Sequence, residues 1–339
     1  MLSMTTSTST VPALAATAEQ MTCRGRGILA ADESIKTMSA RLQAEGIAAN
    51  ETTRRDYREL LLTTERLSDS ISGIILCDET FGQRLSDGRT FPEAARDAGL
   101  LPGIKVDTGT TPLPGLGGAL ITEGLDGLGT RLASYAARGA AFAKWRAVFD
   151  VRTITTHSAR ANGHALARYA ALCQEHGIVP IVEPEVLCNG DHGLAESARA
   201  THLALASVFD ELELSGVALR GLVLKPNFVT PGLGAPAAPA STVAAATLEV
   251  LSGTVPPAVP GIAFLSGGHP TADACAFLAE LDATTERPWQ VTFSFGRALV
   301  SDALRTWAGD AAHTAAAQGA LRANCRHAAE ATSRPPATL

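Results

Sequence analysis

This 339-residue sequence predicts an α/β fold, a single-domain TIM-type (β/α)8 barrel, on two observations. Short apolar runs recur eight times at intervals of about 30 to 44 residues, too long for hairpins and suited to a strand, a crossover helix and the next strand. Charged side chains gather at the C-terminal ends of those runs, which is where a barrel of this kind assembles its site. A doubly wound open sheet would want a glycine-rich dinucleotide turn after an early strand, whereas GRGIL (25–29) precedes its strand.

In chain order the runs are GILAAD (27–32), ISGIILC (71–77), GIKVD (103–107), FAKWRAV (142–148), VPIVEPE (179–185), GLVLKP (221–226), GIAFLSGG (261–268) and VTFSFGR (291–297). Between them, apolar residues fall at helical spacing: Tyr57, Leu60, Leu61 and Leu67, then Leu132 and Tyr135, then Leu166, Tyr169 and Cys173. Val243, Leu248 and Leu251 follow Ser241, which reads as an N-cap. The domain reading is a Ser/Thr-rich disordered arm at 1–18, the barrel at 19–310, and a C-terminal helix with a short flexible tail at 311–339. The Gly/Pro/Ala-rich stretch 230–241 reads as a mobile loop.

Composition narrows the function. With 46% apolar residues the chain can bury a large core, and a net charge of −6 offers no global basic field for nucleic acid or an anionic membrane. Six scattered cysteines without close pairs point to reduced structural thiols and a cytoplasmic location. No stretch approaches the ~20 apolar residues of a membrane span, and the N-terminus lacks the pattern of a secretory signal. The histidines are dispersed, so no metal is expected.

The chain has 28 basic residues, of which only Lys36, Lys105, Lys144 and Lys225 are lysines. Three of these four end an apolar run. The full set of run ends is Asp32, Lys105 with Asp107, Lys144 with Arg146, Glu183 with Glu185, Lys225, Ser266 with Gly267 and Gly268, and Gly296 with Arg297. Asp32 also suits a helix cap, Lys105 a snorkelling surface charge and Asp107 a structural role; Glu183 and Glu185, sharing one face of their strand, also suit simple ion pairing. Ser266, Gly267 and Gly268, with Gly296 and Arg297, read as a backbone cradle for one phosphate, and Lys105 as the anchor of a second. Lysine, unlike arginine, can become a neutral amine and attack a carbonyl. Lowering a lysine pKa by ~3 units from ~10.4 takes about 4 kcal/mol, for which desolvation and mutual repulsion of Lys144 and Lys225 are candidates. On these grounds either lysine can be the nucleophile, with Glu183 or Glu185 moving the protons.

GILAADES (27–34), FAKWR (142–146), GIVPIVEPE (177–185), GDHGL (190–194), LVLKPN (222–227), TVPPAVPGIAFLSGG (254–268) and FSFGRAL (293–299) follow one another in unbroken order. Through them the chain, from about residue 20 to Trp307, resembles the class I (Schiff-base) fructose-bisphosphate aldolases. The resemblance implies a lyase without metal or cofactor that reversibly cleaves fructose 1,6-bisphosphate to dihydroxyacetone phosphate and glyceraldehyde 3-phosphate. It implies Lys225 as the Schiff-base lysine, Glu183 as the acid/base of imine formation, Glu185 and Lys144 as groups that position and polarise the ketone, and Asp32 as the carboxylate at the C4 hydroxyl. Ser266, Gly267, Gly268, Gly296 and Arg297 match the 1-phosphate region. Ser34, Thr37, Arg41, Lys105 and Arg297 match positions of the far phosphate, and Arg146 joins the substrate-binding set. A homotetramer is implied as well.

Four positions depart from the family pattern: Ile35 and Lys36 replace small residues, His269 stands where glutamine is usual, and Phe295 replaces a tyrosine. No tyrosine follows Tyr169, so carbon protonation, done by a C-terminal tyrosine in vertebrate members, is expected to fall to Glu183. Two other readings stay open: a Schiff-base aldolase for another ketose phosphate such as fructose 1-phosphate, and a weakly active member kept for binding.

Overall fold

The structure, a computed structural model, describes residues 11–284 and 287–333. Its strands are β1 (Gly27–Ala31), β2 (Ile71–Leu76), β3 (Leu101–Lys105), β4 (Gly109–Pro112), β5 (Leu120–Glu123), β6 (Phe142–Phe149), β7 (Val179–Val186), β8 (Val223–Leu224), β9 (Gly261–Phe264) and β10 (Gln290–Phe295). Eight of these close into a barrel in the order β1-β10-β9-β8-β7-β6-β3-β2, every pair parallel. Each coincides with one of the eight apolar runs. Because both faces of a barrel strand are covered, the strands read as continuous apolar segments rather than alternating ones.

The helices pack outside. Tyr57, Leu60 and Leu61 are buried on Glu51–Leu62, Leu132 and Tyr135 on Leu128–Ala137, and Leu166, Tyr169 and Cys173 on Thr156–Glu175. Leu67 lies beyond its expected helix, in a 3-10 turn at Leu67–Asp69. The helix carrying Val243 and Leu251 runs Ala240–Thr254 with Pro239 at its N-cap, so Ser241 sits inside the first turn instead of capping it.

A smaller core fills the barrel itself. Ile28 and Ala30, Ile75, Phe142, Val179 and Ile181, Val223 and Ala263 point inward from successive strands. Phe142 takes up so much of the lower barrel that a Cβ on Gly103 would stand 2.1 Å from its ring, which is why β3 carries glycine there.

Three expectations need correction. Residues 1–10 of the expected arm lie outside the described residues, but from Val11 the chain forms the helix Val11–Met21. Leu14, Ala18 and Met21 from that helix join the inner core, so burial of its apolar face stabilises a segment whose Ser/Thr-rich lead-in suggested disorder. An unforeseen hairpin, β4 against β5, interrupts the connection from β3 to β6. The loop after β8 is held down: Gly232, Leu233 and Gly234 donate backbone hydrogen bonds of 2.8–2.9 Å to His192, Cys188 and Gly190. At the C-terminal end a 3-10 turn, Ala311–His313, leads into the helix Thr314–Glu330; residues 334–339 of the expected tail lie outside the described residues.

Five of the six cysteines are buried and all are free thiols. Among the described residues no helix is long and apolar enough to cross a membrane.

Candidate active site

Side chains along a strand alternate between the two faces, so the inward positions climb the barrel in steps of two. On β6 they are Phe142, Lys144 and Arg146; on β7 Ile181, Glu183 and Glu185; on β8 Val223, then Lys225 just past the strand. Each series begins apolar in the inner core and ends charged at the C-terminal mouth. These charged residues open onto a cavity of about 400 Å3.

Lys144 is the hub. Its Nζ lies 2.6 Å from Asp32 Oδ2, 3.2 Å from Glu183 Oε2 and 4.0 Å from Asp107 Oδ2. Burial alone would drive its pKa down, but Asp32, Glu183 and Asp107 together hold it well above the ordinary lysine value. The expected mutual depression of two lysines is therefore reversed for Lys144, which stays a cation. Asp32 and Glu183 answer in kind: burial favours their neutral forms, yet Lys144 and then Lys225 hold both below the usual carboxylate range.

Lys225 has a different environment. Its Nζ lies 3.1 Å from Glu183 Oε1, its one carboxylate partner among the described residues, and its side chain is 4% exposed. Glu183 Oε2, despite its charge contact with Lys144, makes no hydrogen bond of good geometry, which leaves an acceptor site open. Arg146 pairs with Glu185 at 2.5 Å, and Lys105 donates to Asp107 Oδ1 at 2.6 Å and to the Asp107 carbonyl at 2.7 Å. An ammonium has three donors, so Lys105 keeps one for a ligand. The carboxylates are committed to cations, and among the described residues no group of His, Cys, Asp and Glu is arranged to hold a metal ion.

Two flanks of the mouth suit anions. After β9, Gly267 (φ 58°) and Gly268 (φ 96°) are consecutive left-handed residues, a backbone turn that glycine adopts without strain and that leaves no side chain between the backbone and a ligand. The helix Arg297–Trp307 starts beside them, behind Gly296, with Arg297 Nη2 3.2 Å from where a Gly268 Cβ would lie. After β1, Ser34 caps the helix Ile35–Ala44 by accepting from Thr37 N at 3.3 Å, and Arg41 pairs with Glu33.

A family model for fructose-bisphosphate aldolase class-I matches residues 13–335. The chain belongs to the class I fructose-bisphosphate aldolase family. Relatives include a probable class 1 aldolase of Xanthomonas campestris, 48% identical over 300 residues that cover 88% of this chain and 90% of that one. The aldolase of Dictyostelium discoideum is 44% identical over 325 residues, 94% of this chain and 91% of its own. Among solved structures, the Plasmodium falciparum aldolase, crystallised with TRAP and a small-molecule inhibitor, superposes with a TM-score of 0.94 at 38% identity, covering 97% of each chain.

Within this aldolase barrel the cavity wall gathers every site residue expected from the sequence except Gly268, which stands just behind Gly267. Asp107 was assigned a structural role, yet it lines the cavity and holds Lys105. Its position two residues after Lys105 was the available signal, since period two puts both on one face. Glu33 and Ser294 were missed too. Ser294 is buried in the wall with a hydroxyl that makes no hydrogen bond, two residues before Gly296. Of the departures, His269 contacts Thr230 Oγ1 at 3.2 Å and so ties the loop after β9 to the loop after β8. Phe295 is fully buried, and Ile35 is half exposed.

Proposed function

We propose that the mouth cleaves fructose 1,6-bisphosphate, and runs the reverse condensation, through an imine on Lys225. The observation that carries this is the asymmetry of the two buried lysines: Lys144 pairs with three carboxylates within 4.0 Å, while among the described residues Lys225 pairs at that distance with Glu183 alone. Glu183 takes a proton from the Lys225 ammonium, and the free amine adds to the C2 carbonyl. Glu183 then returns the proton to the C2 hydroxyl, water departs, and a protonated imine remains. Its positive nitrogen is the electron sink for the next step.

Asp32 removes the C4 hydroxyl proton, the C3–C4 electron pair moves into the imine, and glyceraldehyde 3-phosphate leaves as an enamine forms. A carboxylate kept ionised by Lys144 is suited to that task. Lys144, a cation throughout, stabilises oxygen charge as it develops, and Glu185, aligned by Arg146, orients substrate hydroxyls. The proton taken by Asp32 passes to water in the cavity, Glu183 takes one up from that water and delivers it to the enamine at C3, and hydrolysis of the imine frees dihydroxyacetone phosphate and Lys225. The glycine pair after β9 with Arg297 receives the 1-phosphate; Ser34, Thr37, Arg41 and Lys105 receive the 6-phosphate.

The half-exposed Ile35, at the start of the far-phosphate helix, favours a second reading in which the preferred ketose carries one phosphate. Steady-state kinetics with fructose 1,6-bisphosphate and fructose 1-phosphate decide between them. The proposed function requires kcat/KM for the bisphosphate to exceed that for the monophosphate by at least ~10-fold, as one charge-assisted phosphate contact implies. Equal values would favour the monophosphate reading.

A further inference from the structure

We propose that Arg58 is a positioning residue which sets both the cleavage carboxylate and the far-phosphate arginine from outside the cavity. The inference rests on the imine reading above and deepens it. Arg58 sits on the helix Glu51–Leu62 with its side chain 1% exposed. Its Nε donates to the carbonyl of Ala31 at 2.7 Å and its Nη2 to the carbonyl of Glu33 at 3.1 Å. These two carbonyls flank Asp32. One guanidinium therefore grips the backbone on both sides of the carboxylate that faces Lys144.

The same Nη2 reaches Glu33 Oε2 at 2.9 Å, and the other oxygen of Glu33 accepts from Arg41. Glu33 is thus a bridge with a buried cation on one side and a cavity cation on the other. A buried guanidinium needs a counter-charge, and among the described residues Glu33 is the carboxylate in contact with Arg58. Its orientation is fixed by that demand, which in turn fixes where Arg41 stands. Four N–H groups of Arg41 remain for a ligand after the bond to Glu33. Lysine at 58 would keep the charge but lose the planar fork that spans two carbonyls and a carboxylate.

The test is kinetic, with Arg58→Lys and Glu33→Gln made in the full chain. Both are expected to raise KM for fructose 1,6-bisphosphate about tenfold, the loss of one charge-assisted contact, while KM for fructose 1-phosphate changes less than twofold. In Arg58→Lys, kcat should fall for both substrates, because Asp32 serves both. In an Arg41→Ala background the KM effect of Arg58→Lys should vanish, since Arg58 acts on the far phosphate through Arg41. An equal proportional rise in KM for the two substrates, or a KM effect that persists without Arg41, would overturn the proposal; if Arg58→Lys fails to fold, Glu33→Gln and the Arg41 background decide it. Borohydride trapping of dihydroxyacetone phosphate on the wild type separates the two levels. Trapping with no substrate split refutes Arg58 alone, and failure to trap refutes the imine reading beneath it.

Discussion

Lys225 Nζ and Glu183 Oε1 stand 3.1 Å apart, and the second oxygen of the same carboxylate lies 3.2 Å from Lys144. One acid therefore faces two lysines, of which only Lys144 has further carboxylate neighbours among the described residues. The division of labour proposed for the site follows from that asymmetry.

Glu183→Gln keeps the shape of the side chain and removes its proton chemistry. We expect kcat to fall by about 10^2 to 10^4, the usual worth of a positioned general acid/base. Solvent hydrogen exchange into dihydroxyacetone phosphate should fall with it. An exchange rate equal to that of the wild type would show that another group protonates the enamine carbon.

Lys144→Met leaves Asp32 and Glu183 as buried carboxylates without their shared partner. Breaking such a cluster from one side should destabilise the fold by ~3–5 kcal/mol. Adding Asp32→Asn should recover part of the loss, because it removes one of the orphaned charges. Urea unfolding of the two variants checks both signs.

Stability should fall on the acid side from about pH 5, because unfolded carboxyls titrate near ~4. Asp32 and Glu183 have folded pKa values below their ordinary ones, burial being outweighed by Lys144 and Lys225. The unfolded chain then binds more protons as pH drops, so their stabilisation is complete above the unfolded pKa and is lost on descent toward the folded one. Lys144 runs the other way: its raised folded pKa makes its contribution complete below about pH 10 and lost only as pH rises through the folded value. Urea midpoints measured from pH 3 to 7 should slope less steeply in Asp32→Asn than in the wild type.

The barrel was legible because its strands are buried on both faces, so each of the eight stands out as a short apolar run. The charged ring was legible because inward positions alternate and because lysine is scarce enough to make Lys105, Lys144 and Lys225 conspicuous. The hairpin β4–β5 was not, since GTTP and LITE are mostly part-exposed and form no apolar run. Nor was the helix Val11–Met21, whose buried face has a partner only once the barrel has closed. The pairing of Lys144 with Asp32 across the ring was equally invisible. β6 and β1 are not neighbours in the barrel, and the heights at which their inward side chains meet are set by barrel closure. The role of Arg58 depends on a helix docking under a strand end, which no spacing along the chain reveals.

Gly103→Ala tests the packing beneath the site. The new methyl would meet the Phe142 ring at 2.1 Å, an overlap that core repacking relieves at about 1–3 kcal/mol or more. A lowered unfolding midpoint is expected, with partial restoration by Phe142→Leu. Unchanged stability would mean that the inner core is looser than described.

The central claim is that Lys225 is the nucleophile. Borohydride reduction in the presence of dihydroxyacetone phosphate, followed by peptide mapping, tests it most directly. One covalent adduct per chain is expected, on the peptide containing Lys225 and absent in Lys225→Met. An adduct on Lys144 or Lys105, or none at all under conditions where the enzyme is active, would contradict it.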